Sequence, residues 1–246
     1  MTLEIVDYIN GISCLIYVVV SIIVGLKILS IYSNTENRDF IFVGITWIGM
    51  SEPTLPMAIS FFWNLIFHEG LSFVPYVILG IGGVPFFIFC WMVAFTDLLY
   101  KAKQKIILMI YAITGILFEI VFFASIIINP NLIGVFEGAH NQIVHLDFEY
   151  RGFTMVYILF GMATILITGI LFARESLRSE IPEIKLKGKF LLSAFLAWVI
   201  GGFLDAIIPL NPITLPFIRL LFLSSALLFY IGYILPPNIR KLILKE

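Results

Sequence analysis

The sequence predicts an all-α membrane protein: a bundle of seven transmembrane helices, N-terminus outside and C-terminus inside. Three observations carry that prediction. Hydrophobic residues make up 61% of the 246 and charged residues only 13%, with a mean hydropathy of +1.05; a soluble domain carries about 25% charge. Seven apolar runs reach the roughly 20 residues that a helix needs to cross a hydrocarbon core about 30 Å thick. Lysine and arginine gather in alternate connections, the pattern that sets orientation.

The runs lie near Tyr8–Ile31, Phe40–Phe67, Phe73–Leu99, Ile106–Ile128, Phe153–Ala173, Phe190–Pro209 and Ile213–Leu235. The first is flanked by Glu4 and Asp7 and is too long for a signal-peptide core, so it reads as a helix that stays. The second and third exceed the span length, which predicts tilt or proline kinks at Pro53, Pro56 and Pro85, the candidate hinges. One sizeable outer loop, Pro130–Gly152, precedes the fifth run, and one sizeable inner loop, Arg174–Lys189, precedes the sixth. Pro236-Pro237 ends the seventh and leaves a short basic tail, Asn238–Glu246. No soluble domain is expected at either end, so residues 1–246 read as a single domain.

Orientation follows from the basic residues. Thirteen of the 15 fall on one side: Lys27 and Arg38, then Lys101, Lys103 and Lys105, then the 174–189 loop, then Arg240, Lys241 and Lys245. That side is cytoplasmic and the membrane is the cell membrane. Arg151 alone lies outside, with Glu4, Asp7, Glu69, Glu137, Asp147, Glu149 and all three histidines. A faint parallel repeat of three helices, a linker helix and three more is visible. Leu166–Gly169 echoes Ile22–Gly25, Trp198 and Asp205 echo Trp47 and Glu52, and Leu215–Ile218 echoes Val74–Val77.

Charged groups inside the runs are the candidate site, because an ionisable side chain at that depth costs at least about 2.5 kcal/mol on insertion scales. At about 1.5 Å per residue, Glu52 lies roughly 18 Å from the inner start of its run, Glu119 roughly 20 Å and Asp205 roughly 22 Å. Arg219 is roughly 9 Å from the outer start of the seventh run, which is the same level. The expectation is a polar pocket in the outer half that binds a small polar solute or ion. Asp205 pairs with Arg219 there, and Glu52 and Glu119 lack a basic partner, so one can hold a proton at neutral pH. The alternative is a satisfied polar core, with carboxyls bonded to Ser51, Thr54 or backbone carbonyls. Asp97 lies four residues before Lys101 at the inner end of its run and reads as an interfacial pair.

Other chemistry is less supported. His68, Glu69, His140, His145 and Asp147 share the outer side, but their spacing fits no zinc motif, and exposed loop histidines are the expectation. Cys14 and Cys90 lie in apolar runs and read as core thiols. No nucleophile elbow, phosphate loop or nucleotide fingerprint is present. Gly80, Gly82, Gly83, Gly201 and Gly202 suit close helix packing. No enzyme activity, cofactor, metal or nucleic-acid partner is expected; the basic loops need only anionic lipid.

Seven helices, outside to inside, with a three-one-three repeat resemble the transporter–opsin–receptor superfamily, which includes the PQ-loop and sugar-transporter families. The resemblance is one of topology. No proline is followed by glutamine, and the seventh run has no lysine for a retinal Schiff base. Gly83–Trp91 also resembles the third helix of seven-helix sensor modules found before histidine kinases, and the whole chain resembles uncharacterised archaeal seven-helix membrane proteins. These likenesses carry over no residue roles; the paired prolines, the deep acids and the repeat point to a polytopic carrier using Glu52, Glu119, Asp205 and Arg219. The alternative is a stand-alone sensor signalling through the 174–189 loop to a cytoplasmic partner. A homo-oligomer is compatible with either.

Overall fold

The computed structural model describes residues 3–208 and 211–244. Pro209, the end of the sixth run, and Lys245 of the basic tail lie outside the described residues. The described chain is all-α apart from one two-residue hairpin. It contains six helical stretches long and apolar enough to cross a membrane: Ile5–Thr35, Phe73–Leu99, Lys101–Ile128, Gly152–Leu177, Pro182–Ile207 and Thr214–Ile234.

The second apolar run is not one helix. Helix α1 (Ile5–Thr35) is followed by α2 (Asp39–Gly49), a 3-10 turn at Glu52–Thr54, and α3 (Leu55–Phe67). The cause is local. Pro53 and Pro56 offer no N–H, and their rings crowd the carbonyls of Gly49 and Glu52 four residues back. Nearby hydroxyls meet the carbonyls that the break exposes: Ser51 Oγ donates to the Ile48 carbonyl at 2.7 Å, Thr54 Oγ1 to Ser51 at 2.8 Å, and Tyr17 to Met50 at 3.4 Å. Irregular backbone at membrane depth survives only where protein satisfies it in this way.

The third run breaks at the same level. Helix α4 (Phe73–Ile81) gives way to Gly82-Gly83 before α5 (Val84–Leu99), because Pro85 crowds the Ile81 carbonyl. Helix α6 (Gln104–Ile128) follows a 3-10 turn. Next come β1 (Gly134–Val135), the single-turn α7 (Asn141–Val144) and β2 (Glu149–Tyr150), which pairs antiparallel with β1. Helices α8 (Gly152–Leu177), α9 (Pro182–Ile207), α10 (Thr214–Ile234) and α11 (Pro237–Leu244) complete the chain.

Six segments close a ring: α1 packs on α2, α2 on α5, α5 on α8, α8 on α9, α9 on α10, and α10 on α1. Helix α6 lies outside that ring against α5 and exposes Ile106, Ile113, Ile116 and Ile120, the side turned to lipid. An aromatic layer fills the half of the bundle nearer the C-terminus. Trp47 and Phe229 stack with ring centres 3.7 Å apart, flanked by Phe195 and Tyr233.

The outer loop is docked rather than loose. Val144, Leu146 and Phe148 are buried, each worth about 1.5–3 kcal/mol when fully removed from water. Asn10 donates to the Leu146 carbonyl at 2.9 Å, and Asn64 donates to the Val144 carbonyl at 2.6 Å. Two of the histidines expected to be exposed hold the loop down. His140 lies 2.7 Å from the Asp7 carboxylate, and His145 stacks on Phe136 with its ring nitrogens 2.7 and 2.8 Å from the Leu71 and Gln142 carbonyls. Among the described residues no cluster of three or more metal-binding side chains occurs.

Candidate functional site

The buried polar groups form two clusters, with a tyrosine between them. The first is built on α10. Arg219 is 3% exposed and reaches three partners: Asp205 of α9 at 3.0 Å, the Asn10 side-chain oxygen of α1 at 3.0 and 3.2 Å, and the Met57 sulfur of α3 at 3.9 Å. Asp205 retains 20% exposure, so the carboxylate end of the pair reaches the surface and the guanidinium end does not. Asp147 of the docked loop keeps solvent contact above it, near enough for the charges of Asp205 and Arg219 to act on it. Burial foremost, and then the Asp205 carboxylate, push the Asp147 carboxyl above its ordinary value.

The second cluster lies where the two broken helices meet. Glu52 is buried, and its Oε1 accepts the Gly83 N–H at 2.5 Å. In an unbroken helix that N–H would bond within the chain; here it is free at the start of α5, where the helix dipole favours an anion. The side chain of Glu52 therefore replaces a backbone bond that Pro85 helped to remove. Its second oxygen, Oε2, is buried without a partner among the described residues. Gly83 has no room for a side chain: a Cβ there would lie 2.9 and 3.1 Å from the two carboxylate oxygens.

Gly80, one turn before Gly83, is covered by the Tyr150 hydroxyl of β2, so hydroxyl and carboxylate lie along one face of the chain. Gly115 of α6 sits against Pro85 and near the Tyr157 hydroxyl. Glu119, one turn beyond Gly115, is half-exposed and within electrostatic reach of Glu52 and Tyr157. It makes no hydrogen bond or ion pair among the described residues. Tyr76 of α4 is fully buried between the clusters, within electrostatic reach of Tyr150, Asp147 and Arg219.

One cavity adjoins these groups and a second lies apart from them. One of about 60 Å³ lies beside the helix break, walled by Thr46, Pro53, Phe87, Met162 and Trp198. The other, about 220 Å³, opens among the inner helix ends and is bordered by Asn37, Asp39, Ser176, Lys187, Leu191 and Tyr233.

No protein-family model matches this chain, and no curated protein matches it either. The site must therefore be read from its own geometry.

The structure brings Asp205 to Arg219, as their sequential helices predict. It places Glu52 at the junction of the two breaks and leaves Glu119 at the rim. Pro53, Pro56 and Pro85 stand where helix continuity is lost. Asp97 pairs with Lys101 and also accepts from Gln104 at 3.0 Å, the interfacial arrangement its spacing implied. Sequence reasoning missed Asn10, Tyr76 and Tyr150. Asn10 could have been found as a polar side chain early in the first apolar run, on the face that also carries Cys14 and Tyr17. The tyrosines carried no such signal, since tyrosine is common at membrane interfaces.

Proposed function

We propose that this protein is a polytopic carrier for a small polar solute or ion, with a pocket in the outer half of a seven-segment bundle. In this reading α2 and α3 together make one broken crossing, which adds a seventh to the six long apolar stretches. The N-terminus is outside and the C-terminus inside. The position of α6 outside the ring, between α1–α5 and α8–α10, supports a three-one-three arrangement like that of the transporter–opsin–receptor superfamily.

The observation that carries the proposal is the Glu52–Gly83 contact. Two crossings are interrupted at one level, and a single titratable carboxylate joins the two interruptions. Discontinuous helices at mid-membrane are where carriers bind substrates and coupling ions. Ionised Glu52 grips the Gly83 N–H and the positive end of α5; a protonated carboxyl accepts that bond more weakly and frees the break to bend. Asp205 and Arg219 supply an anion and a cation to a polar solute entering from outside. The Trp47–Phe229 layer closes the inner side until the break moves.

The test is flux. Purified protein in liposomes loaded with a pH dye is offered a panel of inorganic cations, amino acids, amines and sugars. A solute that moves protons across the wild-type vesicles, and fails to do so with Glu52→Gln or Arg219→Met, supports the carrier. Wild-type vesicles that move nothing across the panel would refute it.

The inner cavity favours a second reading, a sensor that signals inward, because Ser176 and Lys187 border it from the 174–189 loop and the helix after it. A ligand that alters labelling of Ser176→Cys from the inside, with no flux of any solute, would select that reading.

A further inference from the structure

Three buried polar atoms in one neighbourhood have no hydrogen-bond partner among the described residues: the Tyr76 hydroxyl, the Tyr150 hydroxyl and Glu52 Oε2. An isolated orphan is a structural cost that natural folds avoid. Two hydroxyls that lie between a solvated carboxylate and the orphaned oxygen of a buried one form a sequence. Asp147 is in contact with solvent; Tyr76 is within electrostatic reach of Asp147 and of Tyr150, and the Phe148 ring lies against both tyrosine rings; Tyr150 covers Gly80, one turn from the Gly83 that Glu52 binds. Polar groups of this kind are met by ordered water, and a hydroxyl with water on both sides both donates and accepts.

We propose that Tyr76 and Tyr150, bridged by water, form the route by which a proton from the outer face reaches Glu52, with Asp147 at its mouth. One proton enters from solvent and is handed along the hydroxyls, each giving one proton as it receives another. It ends on Oε2, converting the Glu52 carboxylate to a neutral carboxyl; the return journey releases it outside. The route deepens the carrier reading and rests on it for its purpose, but not for its test.

The surroundings leave few competing donors. The titratable groups facing Glu52 are Tyr150 from β2 and Glu119 from α6. Helix α1 contributes Tyr17, whose hydroxyl is engaged by the Met50 carbonyl and by the Trp198 indole N–H at 3.2 Å. Helix α3 and the Gly82-Gly83 turn contribute no titratable side chain. Glu119 is half-exposed on the side of α6 and supplies the rival path, from the rim.

The experiment follows the Glu52 carboxyl directly. In lipid nanodiscs, the infrared carbonyl band that disappears in Glu52→Gln is assigned to Glu52, and its shift after mixing with heavy water times the arrival of deuterons. Tyr150→Phe and Tyr76→Phe remove no hydrogen bond seen in the structure, so both variants should fold. Each is expected to slow the shift about tenfold or more, while Glu119→Gln leaves it unchanged. Wild-type rates in both phenylalanine variants, or slowing by Glu119→Gln alone, would overturn the route. So would the absence of any Glu52 carbonyl band at every pH where the protein stays folded. None of these readouts needs a transported solute, so failure of the route and failure of the carrier reading are separable.

Discussion

Removing either half of the Asp205–Arg219 pair should cost stability unequally, because the two partners are buried to different degrees. Arg219 is 3% exposed, and Asp205 is 20% exposed. Asp205→Ala leaves a guanidinium sealed in protein with only the Asn10 oxygen and the Met57 sulfur to receive its five N–H groups. Breaking a buried pair from that side costs about 3–5 kcal/mol. Arg219→Met leaves an anion that is partly exposed already and can turn to the surface. It also frees an Asn10 oxygen that still accepts from the Cys14 thiol at 3.3 Å, so the loss should be nearer 2 kcal/mol. The double variant removes both charges and should fall about 2 kcal/mol short of the sum of the singles, the coupling expected of groups in contact. Reversible unfolding in mixed lipid–detergent micelles measures all three. If Arg219→Met proves the costlier single change, or if the two effects simply add, the placement of the cation beneath the anion is wrong.

Gly83→Ala should destabilise by about 1–3 kcal/mol and dislodge Glu52, because the new methyl must displace a carboxylate on a packed stem. The same assay checks it, with Gly138→Ala as a control, where nothing lies within 4 Å, although its φ of +83° adds local strain. Trp47→Ala removes a fully buried ring stacked on Phe229 and should cost about 3–5 kcal/mol, read by denaturant midpoint. His140→Ala should loosen the outer loop, seen as faster amide exchange across 140–148 with helix α9 unchanged. For Asp147 the sign is fixed by its raised folded pKa. The folded state keeps the proton to higher pH than the unfolded chain, so this group favours folding most below its ordinary value of 3.8, and that favour is lost as pH rises through the folded pKa. Asp147→Asn should therefore gain on the wild type as pH rises through that window; a melting-temperature gap independent of pH would contradict it.

The membrane class, the number of apolar runs and the existence of deep charged groups were legible from residue chemistry, because hydrocarbon imposes one length and one penalty on every span. Spacing alone also implied that Asp205 and Arg219 meet, since consecutive helices are neighbours. The prolines marked where helices weaken. Whether Phe40–Phe67 bends or breaks was not legible, since that depends also on whether the Tyr17 hydroxyl of α1 and the Gly83 N–H before α5 stand ready to meet the opened segment. Nor could spacing show that the carboxylate at one break closes the other, or that Tyr150, ninety-eight residues on from Glu52, returns from the outer loop to lie beside it. Depth along a helix is a one-dimensional property and can be counted from the chain. Which face a side chain presents, and what meets it there, arises only when separate helices pack, and this decided that Glu52 is central and Glu119 peripheral.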